Sequence, residues 1–321
     1  MRSSNLKILA AGSALLVAVL AACATDSTRE CRIGADCASG VCGSDGQCIA
    51  QGDVPGVDAA GTDANTGYDG SVPPGDAGGD AALPGCTPNK DGTITRDEVP
   101  IAAGLHATYK IATEAAVSTA GTAGTGTRRV WDFSGALPSD SSVIVETQPL
   151  KGKWYEAKYA GATYASKLSQ SSDLLGVFET SPGALLLRGV VSPTDTASTK
   201  TELTDTPAVA VLKFPLTMGA TWNTATKVSG TASGVALFGT YDESYVSKVD
   251  AVGDLKTPLG TFDVQRVQVV LTRTIGILPA TTVRTYAFVT ECYGTIASIT
   301  SSDNETSAEF THAAEIRRIA P

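Results

Sequence analysis

From residue 101 to 321 the chain is written in short β-branched and aromatic runs, each closed by glycine or proline, with almost no stretch at helical period. Alternation of apolar and polar residues turns successive side chains to opposite faces, so such runs predict half-buried strands. Thr282–Thr290 is the clearest, with Tyr286 and Phe288 on the face that also carries Cys292. Ser142–Glu146, Ala184–Val191, Ala208–Phe214, Val235–Tyr241, Tyr245–Val252 and Ile296–Thr300 read the same way. Ser181-Pro182-Gly183 and Thr257-Pro258-Leu259-Gly260 supply the fixed φ and the permissive return of tight hairpin turns. After the second turn, Phe262 and Val264 share one parity, and Val267, Val269 and Leu271 take the other. That flip predicts a bulge near Gln265–Arg266. The segment 165–172 fits a short helix or a strand, and 308–319 fits an edge strand. The expected fold is mainly β: an antiparallel curved sheet or half-barrel over 101–321, with a β-sandwich as the alternative.

Upstream of residue 86 the composition changes. Residues 23–86 hold ten acids and two bases, whereas 87–321 hold 23 acids and 20 bases. The nearly balanced larger part gives no support to nucleic-acid binding. At the start, Arg2 and Lys7 precede an apolar stretch, Ile8–Leu20, too short to span a bilayer and suited to a cleaved signal over 1–22. Leu20-Ala21-Ala22-Cys23 closes it and resembles the bacterial lipobox. The resemblance implies that Cys23 is lipidated and becomes the new N-terminus, with the lipid bilayer as partner and the outer membrane or cell surface as location. Residues 23–30 are then a short spacer. Residues 49–85 are Gly, Ala, Asp and Pro with Tyr68 as the sole aromatic, and the expected state of that linker is a disordered, acidic stalk.

Seven cysteines in an exported chain point to disulfides. With Cys23 on lipid, six remain. Cys31, Cys37, Cys42 and Cys48 form a dense module over 31–48, with four glycines and hardly any large apolar side chain. Two crosslinks of open connectivity are expected to hold it, with a zinc site as the competing reading. The spacing resembles small cysteine-rich modules of bacterial surface lipoproteins of myxobacterial type and, more loosely, the cysteine-rich segment of Dickkopf proteins. Cys86 and Cys292 are left, one at the domain entrance and one on a core-facing parity, and they are expected to pair.

Residues 86–100 carry a metal-like pattern at the domain entry. Placing Glu98 at the twelfth position of an EF-hand loop puts Asn89, Asp91, Thr93 and Thr95 at the third, fifth, seventh and ninth, and Gly92 at the sixth. Thr87 stands where the first aspartate belongs, so one charged calcium ligand is missing. The other reading is an Asp91-Gly92 turn capped by its polar neighbours.

The pairing of Gly219-x-x-Trp222 with Thr257-Pro258-x-Gly260-Thr261-Phe262 resembles a group of uncharacterised bacterial envelope proteins, similar in broad architecture to the half-barrel of periplasmic lipoprotein-handling proteins. That resemblance implies a concave apolar face suited to a hydrophobic ligand. No Gly-x-Ser-x-Gly elbow, His-Glu-x-x-His helix or phosphate-binding loop occurs, and His106 and His312 lie far apart in sequence. The sequence therefore predicts no catalytic residue and no cofactor beyond the candidate calcium. The leading expectation is a tethered β domain that binds a hydrophobic or surface ligand. A structural envelope protein without a small ligand and a hydrolase with an unrecognised site are the alternatives.

Overall fold

The computed structural model describes residues 86–321. The signal, Cys23, the 31–48 module and the 49–85 linker lie outside the described residues. Among the described residues eighteen strands follow one another, interrupted only by two single 3-10 turns at Arg96–Glu98 and Glu156–Lys158. The first half runs β1 (Thr93–Ile94), β2 (His106–Ala116), β3 (Thr122–Ala123), β4 (Arg129–Asp132), β5 (Ser141–Glu146), β6 (Gln148–Pro149), β7 (Tyr164–Lys167), β8 (Leu175–Ser181) and β9 (Ala184–Val191). The second runs β10 (Glu202–Lys213), β11 (Leu216–Thr217), β12 (Thr221–Ala232), β13 (Val235–Ala236), β14 (Tyr241–Lys256), β15 (Thr261–Thr274), β16 (Thr281–Thr290), β17 (Gly294–Thr300) and β18 (His312–Ile319). Among the described residues no helix is long and apolar enough to cross a membrane.

One sheet contains nearly all of them, in the order β5-β2-β18-β17-β16-β15-β14-β12-β10-β9-β8-β7-β6. Its two edge strands, β5 and β6, are consecutive in the chain and separated only by Thr147. A sheet whose first and last strands are joined by one residue must curl until its edges adjoin, so the sheet is a near-barrel. Thr147 is pinned at that junction: its amide donates to the Leu105 carbonyl at 2.9 Å, and its hydroxyl donates to the Ala102 carbonyl at 2.7 Å.

Apolar residues are buried on both faces of this sheet. On the concave face Trp222, Val249, Val267 and Val289 pack with Leu150, Tyr155 and Tyr159 from the β6–β7 connection and with Ile94, Val99 and Ile101 from the domain entry. The chain thus fills its own barrel from two segments. At Gly189 on β9 the approach is so close that a Cβ would lie 2.0 Å from the Leu203 carbonyl oxygen and 2.7 Å from the Tyr159 ring. β1 pairs with β11 as a separate two-stranded ribbon, and Ile94 and Leu216 turn inward from it. On the convex face, β4 lies parallel to β14 and carries Trp131 onto Phe288, ring centroids 5.1 Å apart and edge to face. Phe133, Leu255, Val264, Tyr286, Ile299 and Ile316 complete this outer core. Burial on both faces explains the parity flip of β15: Val264 belongs to the outer core and Val267 to the inner one.

Three expectations need correction. Val235–Tyr241 is not one strand: only Val235–Ala236 pair, with β12, and residues 237–240 turn before β14 begins at Tyr241. The bulge is not at Gln265–Arg266 but on the neighbouring strand, where Val249 pairs with Val267 and Ala251 with Arg266, leaving Asp250 extra. Asp250 spends that position on Arg266, which it grips through Nε at 2.9 Å and Nη2 at 2.8 Å. The 308–319 segment is not an edge, because β18 pairs with both β17 and β2. Of the 165–172 segment, residues 165–167 belong to β7, a strand paired with β8, and 168–172 form the turn that leads to β8.

Candidate functional site: the seam of the near-barrel

Where the curled sheet fails to close, a cavity of about 270 Å³ opens between β5 on one side and β7 and the start of β8 on the other. Val143, Ile144, Ile111, Leu175 and Pro193 give it an apolar wall, and Glu146, Lys153, Lys167, Asp173 and Arg317 ring it with charge. Two buried polar atoms belong to lining residues and have no hydrogen-bond partner: the Tyr155 hydroxyl and Gln170 Oε1. Tyr155 is fully buried, and burial raises its pKa above the ordinary phenol value. A buried, unpartnered hydroxyl costs the fold roughly 1–3 kcal/mol. Both atoms belong to residues that line the cavity, and a water or a small polar group brought within hydrogen-bond distance would satisfy them.

Side chains, rather than a backbone ladder, hold the seam. Glu315 and Arg317 alternate on β18, side chains 12% and 14% exposed, and bond to each other at 2.6 Å. Arg317 Nη1 donates to the Lys167 carbonyl at 3.2 Å. Glu315 Oε2 accepts from Ser169 Oγ and from the Gln170 amide, both at 2.8 Å. Burial opposes the Glu315 charge, but Arg317 and these donors outweigh it and hold the carboxyl below its usual pKa. The latch therefore fixes the backbone of Gln170, whose side-chain oxygen is one of the two orphans.

The predicted site residues lie elsewhere. Cys86 and Cys292 form the expected disulfide, Cα atoms 5.5 Å apart. Beside it, the 87–98 loop has the left-handed turns an EF-hand requires, at Lys90 (φ 56°) and Gly92 (φ 83°). Its oxygens are turned on the loop itself. Asn89 Oδ1 accepts from the Asp91 amide at 2.9 Å, and Asp91 Oδ1 accepts from the Thr93 amide at 2.7 Å. Glu98 accepts from Asn89 Nδ2 and from the Thr95 amide, each at 2.7 Å. Asn89, Asp91 and Glu98 thus spend side-chain oxygens on the loop's own amides, and Thr87 leaves the first position uncharged, so the set fits calcium only in part. Among the described residues no group of three or more His, Cys, Asp or Glu side chains could hold a metal. His106 pairs with Glu146 and His312 with Ala116, at opposite ends of β2, so they share no site.

One charged cluster went unread in the sequence. Glu243, 5% exposed on the concave face of β14, bonds Arg273 Nε and the Tyr245 hydroxyl, each at 2.6 Å. Buried Asp205 on β10 adds a second carboxyl, whose pKa is pushed up to about 7 by burial and then by Glu243, against the pull of Arg273. The nearby groove is lined by Thr206, Pro207, Thr226 and Glu243 but not by Asp205, so the pair does not face a common cavity there.

The seam residues were also missed. Glu315 and Arg317 carry no signal of burial in the sequence, because alternation distinguishes two faces without saying which one a curled sheet encloses. No family model, curated protein or solved structure matches this chain.

Proposed function

We propose that this chain is a lipid-anchored protein of the bacterial cell envelope whose β domain binds a small amphipathic ligand at the seam. The observation that carries the binding assignment is the pair of buried, unpartnered atoms, Tyr155 Oη and Gln170 Oε1, on two residues that line one cavity with an apolar wall. The concave face, where a bulk lipid would sit, is occupied by Leu150, Tyr155, Tyr159, Ile94 and Val99. A ligand for the seam is therefore small, apolar on the β5 side, and carries a hydroxyl or amide for the two orphans. The lipobox and the exported disulfide support the envelope setting.

Tyr155→Phe tests the assignment without knowledge of the natural ligand. Removing an unsatisfied hydroxyl is expected to stabilise the ligand-free protein by about 1 kcal/mol or more. N-acetylglucosamine and hexanol serve as probes, one rich in hydroxyls and amide, the other mostly apolar. At least one should raise the melting temperature of the wild type and not of the variant. A destabilised variant, or no response of the wild type to either probe, refutes the seam as a binding site.

A further inference from the structure

We propose that two neighbouring hairpin tips, at the end of the sheet remote from Cys86, insert into a lipid bilayer. One tip is residues 233–240, which hold the short β13 and lead from β12 to β14, and the other is 275–280, between β15 and β16. β14 and β15 pair up to Asp242 and Thr274, so both tips leave the sheet at the same end. Phe238 and Ile277 are wholly exposed, at 104% and 102%, and Val235, Leu278 and Ile275 stand out beside them at 64%, 60% and 46%. Single exposed apolar residues are ordinary on any surface, but five large ones on two adjoining turns are not.

The shape and charge of the tips select the occupant. They are convex turns, and each protruding side chain would need its own socket on a protein partner. A bilayer accepts such side chains at the headgroup–acyl boundary without a matching shape. Ser-Gly-Val-Ala-Leu-Phe-Gly-Thr and Ile-Gly-Ile-Leu-Pro-Ala contain no Asp, Glu, Lys or Arg, so the tips themselves bring no charge to desolvate, and Lys200, whose carbonyl accepts from the Gly234 amide, is paired with Asp195. β16 runs from the tip end to Thr290, two residues before Cys292, which carries the disulfide to Cys86. Its ten residues cover roughly 33 Å. Between Cys23 and Cys86 lie 62 residues, with a contour of at most about 210 Å. The same membrane that holds a lipidated Cys23 is thus within reach of the tips. That last clause rests on the anchor reading, whereas tip insertion does not.

The test uses the chain from residue 23 onward with Cys23→Ser, which has no acyl group, in flotation with phosphatidylcholine vesicles. The chain should float with the vesicles. The double variant Phe238→Ser/Ile277→Ser should reduce the bound fraction at least about tenfold, as loss of two buried apolar side chains implies. Because the tips carry no charge, raising the salt from about 0.05 to 0.5 M should leave binding unchanged within about twofold. Both side chains are fully exposed, so the melting temperature of the variant should match the wild type and serve as the folding control. Absence of flotation, or equal flotation of the double variant, overturns the proposal. So does concentration-dependent self-association of the wild type that the same two substitutions abolish, since the tips would then be a contact between copies of the chain.

Discussion

Replacing Asp205 with asparagine removes a carboxyl that the fold keeps protonated close to neutrality. Asp205 is 8% exposed and shares the polar end of the barrel with Glu243, which already holds Arg273 and Tyr245. Its pKa rises from 3.8 to about 7, by burial first and by Glu243 second. The sign follows from linkage. The folded chain binds a proton that the unfolded chain releases near pH 4, so this stabilisation is complete below that value and is lost as pH rises through 7. Three units correspond to about 4 kcal/mol in total, of which roughly 3 kcal/mol disappears between pH 5 and pH 8. Urea unfolding of wild type and Asp205→Asn at both pH values isolates it, since every other titrating group is common to the two proteins. The wild type should lose roughly 3 kcal/mol more than the variant on going from pH 5 to pH 8. Equal losses, within about 0.5 kcal/mol, would show that Asp205 ionises normally in the folded state and that the barrel end is solvated.

Glu315→Gln weakens the seam latch and is expected to cost about 1–3 kcal/mol at pH 7. Because the folded pKa of Glu315 is lowered, the contribution of the wild-type carboxylate is present above its unfolded pKa and fades as pH falls through the folded value, so the gap between wild type and variant should shrink in thermal melts as pH falls below the usual carboxylate range. Joint replacement of Cys86 and Cys292 by serine opens a crosslink spanning 206 residues, with an expected loss of about 2–5 kcal/mol in urea unfolding; unchanged stability would mean that the entry segment is held by packing alone. Thr87→Asp supplies the charge missing from the 87–98 loop and should strengthen calcium binding at least about tenfold by calorimetry. Identical heats for wild type and variant would show that the loop oxygens do not converge on an ion.

The strands and their turns were legible because both rest on local chemistry. Thr257-Pro258-Leu259-Gly260 turns where proline and glycine require it, with the Thr257 amide donating to the Gly260 carbonyl at 2.8 Å. The Cys86–Cys292 pairing was legible from parity plus position at the domain entrance. What could not be read was which side of each strand the curl would enclose. Tyr286 and Phe288 were placed toward a core, and they are, but it is the outer core beneath Trp131 and Phe133. The bulge was placed at the right level on the wrong strand, since parity in β15 records burial on both faces and says nothing of Asp250 across the ladder. Tyr155 and Gln170 sit in segments without period, and their significance depends on partners they lack.

The distribution of polar groups then separates stability from function within the same barrel. Arg266 is 4% exposed, yet it is fully engaged: Asp250, Glu309 and the Thr119 carbonyl take its donors, and its guanidinium lies 4.3 Å from the centre of the Tyr286 ring. Burial opposes ionisation of Glu309, but Arg266 and Thr119 outweigh it and keep its pKa below the usual carboxylate value. A charge satisfied in this way has no capacity left for a ligand, and its removal would leave Asp250, 15% exposed, without its counter-charge. Tyr155 and Gln170 have the opposite character, with buried atoms that the fold leaves unused beside an open cavity. Substitution at Arg266 should therefore fail as folding, whereas substitution at Tyr155 should leave the fold intact and change only what the seam can hold.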